Sequence, residues 1–170
     1  AIRSETDFDA ASAIVFPGVL KTAKSGYDGK GQCVVDTADG LASAWQALGE
    51  VECVLEQFVQ FQGEFSVIVA RNVSGQVVRY APIWNAHQNH ILDISTSPAR
   101  IPKKASLAAV EIASGVAEQL EYVGVLCVEF FLSEHGQVVI NEIASRPHNS
   151  GHLTIEAHRT SQFEQQLRAI

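Results

Sequence analysis

Methionine is absent from the 170 residues, cysteine is confined to Cys33, Cys53 and Cys127, and there are only five prolines. The cysteines are odd in number, far apart and set among apolar neighbours. That argues against a disulfide framework or a CxxC metal knuckle and predicts buried free thiols. No apolar run approaches the ~18 residues needed to span a bilayer. The opening AIRSETDFDA has neither a basic nor an apolar signal segment, so we expect a soluble, cytoplasmic protein with no membrane partner. Lys and Arg number 12 against 19 Asp and Glu, a formal net charge of -7. With no basic cluster larger than Lys103-Lys104, a nucleic-acid surface is not expected, whereas one phosphate-bearing small molecule remains compatible. The missing methionine and the opening Ala1-Ile2-Arg3 lead us to expect an internal fragment of a longer protein. What is present, 46% hydrophobic and 18% charged residues, fits one globular domain or a two-lobed piece of a larger one.

Along the chain, residues 5–14 carry a weak helical pattern and Gly18–Thr22 reads as a strand. A glycine-rich loop, residues 25–32, leads to a second strand at 33–35. Asp39 is expected to cap a helix with Leu41, Ala44, Trp45 and Leu48 at helical spacing, stopped by Gly49. Residues 51–59 read as a strand, with Gly63-Glu64 separating it from the alternation Phe65, Val67, Val69. Ser74-Gly75 reads as a hairpin turn into residues 76–80. Residues 81–102 lack a strong period and read as a long polar loop. Ser106 is expected to open a helix with Leu107, Val110, Ala113, Ala117 and Leu120 on its inner side. Strands at 125–131 and 137–143 flank the turn Ser133-Glu134-His135-Gly136. Residues 154–170 read as one last helix with Ile155, Phe163 and Leu167 inward. The fold class is α+β, mostly antiparallel.

Three constellations could carry chemistry. A symmetric hairpin centred between His135 and Gly136 sets Glu129 opposite Glu142, with Cβ atoms roughly 4.5 to 5.5 Å apart. Cys127, Phe131, Ile140 and Ala144 share that face by period two, so two like charges sit on an apolar surface and need compensation. A hard divalent cation would supply it, with Asn141 as a further oxygen ligand; a register slipped by one would instead send one glutamate to water. In the glycine-rich loop, backbone N–H groups could approach phosphate oxygens while Lys21 and Lys30 add charge. The loop is neither a Walker A sequence nor a dinucleotide fingerprint, and taken alone such a loop is more often just a turn. Arg146-Pro147-His148-Asn149-Ser150-Gly151-His152 gathers a guanidinium, two imidazoles and an amide where a strand ends. It suits a small planar oxyanion, or a polar loop capping the next helix. Its spacing does not suit zinc, and no Ser-His-Asp or Cys-His nucleophile signature is present.

Lys21-Thr22, Gly26-Tyr27-Asp28-Gly29-Lys30-Gly31-Gln32, Glu56-Gln57, Gly63-Glu64-Phe65-Ser66-Val67, Asn141-Glu142-Ile143-Ala144 and the segment from Arg146 to His152 resemble the ATP-grasp core of the 5-(carboxyamino)imidazole ribonucleotide synthases. The resemblance covers nearly the whole chain. It implies an ATP-grasp fold of two lobes, residues 1–57 with the glycine loop and 58–170 with the metal and catalytic groups, clamping a nucleotide. Lys21 and Gly26, Tyr27, Asp28, Gly29, Lys30, Gly31 and Gln32 would meet ATP phosphates. Glu56, Gln57, Phe58 and Val59 would read adenine, Glu64 the ribose, and His87 the nucleotide. Glu129 and Glu142, with Asn141 nearby, would hold Mg²⁺, or Mn²⁺ in its place. Arg146, His148 and Asn149 would hold bicarbonate and its phosphorylated product. The implied activity is ATP-dependent carboxylation of 5-aminoimidazole ribonucleotide by bicarbonate through carboxyphosphate, in purine biosynthesis, with a homodimer for the complete enzyme. Ser145 and Leu153 depart from the residues usual in that family. The family's N- and C-terminal domains are not among these residues, so this chain alone is expected to be inactive. A related ligase acting on another small carboxylate such as formate, and a non-catalytic nucleotide-binding module, are the alternatives.

Overall fold

The computed structural model describes every residue except Ser12, Ser25, Tyr27, Asp28 and Gly29. The chain divides into two compact units, Ala1–Val59 and Gln60–Ile170. Each has its own sheet and core.

In the first unit β1 (Gly18–Thr22) is the middle strand of an antiparallel sheet, between β2 (Gln32–Val35) and β3 (Cys53–Gln57). Leu20 faces Cys33 on one side and Leu55 on the other. α1 (Phe8–Ala11) and α2 (Leu41–Ala47) complete the unit. Its core is Ile2, Leu20, Val35, Leu41, Trp45, Cys53 and Leu55, with Phe8 packed edge-on against Trp45. The Trp45 indole N–H, which burial would otherwise leave unpaired, donates to the Val51 carbonyl at 2.7 Å. Asp39 does not cap α2: it lies inside a short 3-10 turn, Ala38–Gly40, whose backbone leads directly into the helix.

In the second unit β4 (Phe61–Arg71) runs antiparallel to β8 (Gly124–Ser133) along almost its whole length. β6 (Ile83–Gln88) and β7 (Ile91–Thr96) extend the sheet on one side and β9 (Val138–Ala144) on the other, while β5 (Val77–Arg79) pairs with the end of β4. Both faces of the centre are covered, so Phe65, Val67 and Val69 face one core while Ile68 and Ala70 face another. β4 nevertheless continues through Gly63-Glu64, where the sequence suggested a break, because Gly63 pairs with Leu132 and Glu64 with both Phe131 and Asn85.

α3 (Lys103–Gln119) covers the first face, starting before the expected Ser106. Its inner side is the stripe Ala105, Ala109, Ala113, Ala117, whereas Leu107 is 62% exposed and Leu120 60%. Small side chains at i, i+4 spacing let the helix lie close on the strands; Ala113 and Ala117 face inward as expected, and the two leucines do not. Residues 81–102 are not one loop: they hold β6 and β7. Buried Asn85 on the inner face and exposed Ile91 and Ile94 spoil the alternation that would have marked them. The expected last helix is two, α4 (Thr154–Ala157) and α5 (Gln162–Ala169), the latter capped by Ser161, whose hydroxyl accepts from the Glu164 N–H. Ile155, Phe163 and Leu167 are exposed, and Thr154, Gln162 and Ala169 are buried instead. Among the described residues no helix is long and apolar enough to cross a membrane.

Candidate functional site

β4, β6 and β8 carry acidic and imidazole groups to one place in the second unit. The ladder sets Ser66 opposite Glu129, Glu64 opposite Phe131, and Glu64 opposite Asn85. Period two then puts Glu64, Ser66 and Glu129 on the same face as Ile68 and Cys127. His87 Nδ1 lies 3.3 Å from Glu64 Oε1. One ligating atom each of Glu64, His87 and Glu129 fall within 4.8 Å of one another, a spacing that could hold a metal ion.

His148 joins the same group. Its Nε2 is 2.9 Å from Glu129 Oε1, and its Nδ1 is 3.0 Å from Ser150 Oγ. The Ser150 backbone N–H donates to the same Nδ1 at 3.4 Å, so the imidazole caps the turn that follows it. Burial disfavours the His148 cation, but hydrogen bonding and charge at Cys127 and Glu129 outweigh it and the pKa is pushed up to about 10. Glu64 is raised too, first by burial and then by the charge of Glu129, against the opposing pull of His87 and His90. The site therefore holds a Glu129 carboxylate paired with the His148 imidazole beside a Glu64 whose charge burial disfavours.

Glu129 stands opposite Glu142 in the β8–β9 ladder, as hairpin symmetry required. The hairpin is not symmetric throughout, because Phe130 pairs with Ile140 and Asn141 is an extra residue, a bulge. The bulge reverses the phase of β9, so Ile140 shares a face with Phe130 and not, as expected, with Glu142. Glu142 is exposed and Asn141 half-buried. Compensation for Glu129 comes from His148, which sequence reasoning had assigned to an oxyanion. Arg146 and Asn149 are exposed, the Arg146 guanidinium donating to the Pro147 carbonyl at 3.0 Å.

The other expected residues belong to the first unit. Lys21 Nζ pairs with Glu56 Oε2 at 2.6 Å across adjacent strands. Gln57 ends β3 opposite Gly18, and the Phe58 N–H donates to the Pro17 carbonyl, which carries the strand pairing on toward Val59. Gly26 and Lys30 are exposed, and Gln32 opens β2. Gly31 has a φ of +75°, and a Cβ there would lie 2.7 Å from Thr22 Oγ1, so only glycine closes this loop without strain. Tyr27, Asp28 and Gly29 lie outside the described residues.

Sequence reasoning missed four buried polar side chains around His148: Ser66, Asn85, Ser150 and Gln162. Gln162 Oε1 accepts from the His148 N–H at 2.9 Å while its Nε2 donates to the His148 carbonyl at 2.7 Å. A lone serine within the apolar run Phe65-Ser66-Val67-Ile68 was the one available signal; nothing local marked Gln162.

Comparison with known proteins bears on this arrangement. N5-carboxyaminoimidazole ribonucleotide synthase of Bacillus subtilis is 44% identical over 161 residues, 95% of this chain and 42% of the relative. A crystal structure of the ADP complex of an N5-carboxyaminoimidazole ribonucleotide synthetase superposes with a TM-score of 0.91 at 44% identity, covering 99% of this chain and 45% of that one. An Aspergillus clavatus N5-carboxyaminoimidazole synthase in complex with ADP and 5-aminoimidazole ribonucleotide gives a TM-score of 0.84 at 30% identity, over 99% and 44%. The chain thus spans less than half the length of the relatives it matches. The sequence model of the ATP-grasp domain matches residues 1–163, and the chain belongs to the ATP-grasp family.

Proposed function

We propose that this chain is the ATP-grasp portion of an ATP-dependent ligase that carboxylates 5-aminoimidazole ribonucleotide with bicarbonate. The observation that carries the reading is the Glu64, His87, Glu129 cluster on one sheet face, in a chain 44% identical to a synthase of that name. The donor set fits a hard divalent cation. Glu64 and Glu129 are oxygen donors close enough for the charge of one to raise the pKa of the other, and Glu142 stands opposite Glu129 in the ladder, beside the bulged Asn141. Mg²⁺, or Mn²⁺, would be held by Glu129 and Glu142 with help from Glu64 and Asn141. When bound, it supplies charge neutralisation for the ATP phosphates.

The chain's own residues do the rest. Lys21 and residues 26–32 bind phosphate oxygens, Lys21 leaving its Glu56 partner for them. Residues 56–59 present backbone groups to adenine, and Glu64 and His87 hold the nucleotide. Arg146, His148 and Asn149 orient bicarbonate, which attacks the γ-phosphorus to give carboxyphosphate and ADP. The amine of the aminoimidazole nucleotide then takes the carboxyl group and phosphate leaves. A cytoplasmic location and a homodimer of the complete enzyme belong to the same proposal.

Grafting this chain in place of the matching segment of the Bacillus subtilis relative tests the reading. ADP release that needs both bicarbonate and 5-aminoimidazole ribonucleotide is expected, lost in a Glu129→Gln graft. Release that formate supports equally well, or that needs neither cosubstrate, overturns it.

A further inference from the structure

We propose that Ser150, backed by Ser66 and Asn85, is a positioning residue that fixes the His148 imidazole against Glu129. The three come from separate elements, β6, β4 and the turn Asn149–Gly151, and meet on a face otherwise lined by Ile68, Ile83, Val125 and Cys127. Ser66 and Ser150 have no exposed surface, and Asn85 is 4% exposed. Buried hydroxyls and amides persist only where hydrogen bonds replace water. Here the bonds form a chain. Asn85 Nδ2 donates to Ser66 Oγ at 3.1 Å, and Ser66 Oγ donates to Ser150 Oγ at 2.7 Å. Ser95 Oγ donates to Asn85 Oδ1 at 3.3 Å, which sets which end of the amide faces Ser66.

Ser150 Oγ, accepting from Ser66, also lies 3.0 Å from His148 Nδ1 and 3.8 Å from Cys127 Sγ, and the Ser150 N–H donates to the same Nδ1 at 3.4 Å. The ring is therefore fixed at both nitrogens, Nδ1 by Ser150 and Nε2 by Glu129, while Gln162 clamps its backbone. The Ser66 hydroxyl is bonded to Ser150 and Asn85 and reaches His148 through Ser150. A ring held this way keeps its Nε2–H aimed at Glu129, the orientation a reacting group needs before substrate arrives. The catalytic meaning of that orientation rests on the function proposed above; the geometry does not.

Solvent exchange of the His148 Nε2–H, read by NMR on the histidine-labelled chain without nucleotide, tests the proposal. Ser66→Ala and Ser150→Ala are expected to speed exchange about tenfold. Ile68→Val, which trims a buried neighbour on the same face without touching the chain of bonds, leaves exchange as in the parent. Asn85→Ala gives a second break in the chain should Ser66→Ala fail to fold. Unchanged exchange in folded Ser66→Ala or Asn85→Ala, or equal acceleration in Ile68→Val, overturns the positioning role. A parent that shows the effect yet binds no Mg·ATP keeps this role and loses the proposed function; a parent that binds Mg·ATP without the effect does the reverse.

Discussion

Glu64 and His148 sit on the same sheet face and shift the stability of the fold with pH in ways that can be read separately. His148 is raised from 6.5 to about 10, so its contribution is fully present below pH 6.5 and lost as pH rises through about 10. Urea unfolding of the metal-free protein should show stability falling across that window, with Glu129→Gln flattening the slope; an unchanged slope in the variant contradicts the pairing. Glu64 is raised from 4.5 by burial first. Its contribution is therefore fully present below pH 4.5 and lost as pH rises through the raised value. Above that value Glu64→Gln removes a charge that burial and the diagonal neighbour Glu129 disfavour, and it should raise the urea midpoint of the metal-free chain, by at most about 1 kcal/mol, while weakening nucleotide binding. Loss of stability in that variant would show Glu64 to be an ordinary partner of His87. Glu129 and Glu142 were legible from hairpin symmetry because side chains alternate strictly along strands. Ser66, Asn85 and Ser150 were not, because their meaning lies in contacts across elements far apart in the chain.

Helix and turn packing show the same division between local pattern and tertiary contact. The α3 period was visible and Val110, Ala113 and Ala117 do face the core, but the leucines expected beside them, Leu107 and Leu120, are exposed and Ala105 and Ala109 complete the seam. Ala109→Leu should therefore overpack the sheet and cost about 1 to 3 kcal/mol, whereas Leu107→Ala should stay within about 0.5 kcal/mol of the parent. Urea midpoints decide, and the reverse order would contradict the alanine seam. The turn after β9 is as tightly specified. A Cβ on Gly151 would lie 2.1 Å from Ile68 Cδ1 and 2.5 Å from Gln162 Oε1. Gly151→Ala should destabilise by about 1 to 3 kcal/mol and disturb the His148 backbone clamp, visible as a shift of the His148 amide signal. β6 and β7 escaped notice for a related reason: a buried asparagine and two exposed isoleucines invert the usual pattern, and the network around Ser66 accounts for the first of these.

The whole chain carries one tryptophan in each unit, Trp45 and Trp84, so single-tryptophan variants report the two cores independently. The first unit ends at Val59, and the Phe58 N–H still donates to the Pro17 carbonyl within it. The antiparallel α+β character was legible from turn signals and alternation, and the family from motifs. The β9 bulge and the split of the last helix were not, because each is decided by what packs on it. The most direct test of the account is thermal unfolding followed at Trp84, titrated with ATP and Mg²⁺ and, in parallel, with ATP and chelator, for the parent and Glu129→Gln. A ligand bound only by the native state at about 100 times its Kd adds about 2.7 kcal/mol. A saturable rise of the midpoint that needs the metal and shrinks in Glu129→Gln is predicted; no rise, or one indifferent to both chelator and substitution, would contradict the carboxylate cluster as the metal–nucleotide site.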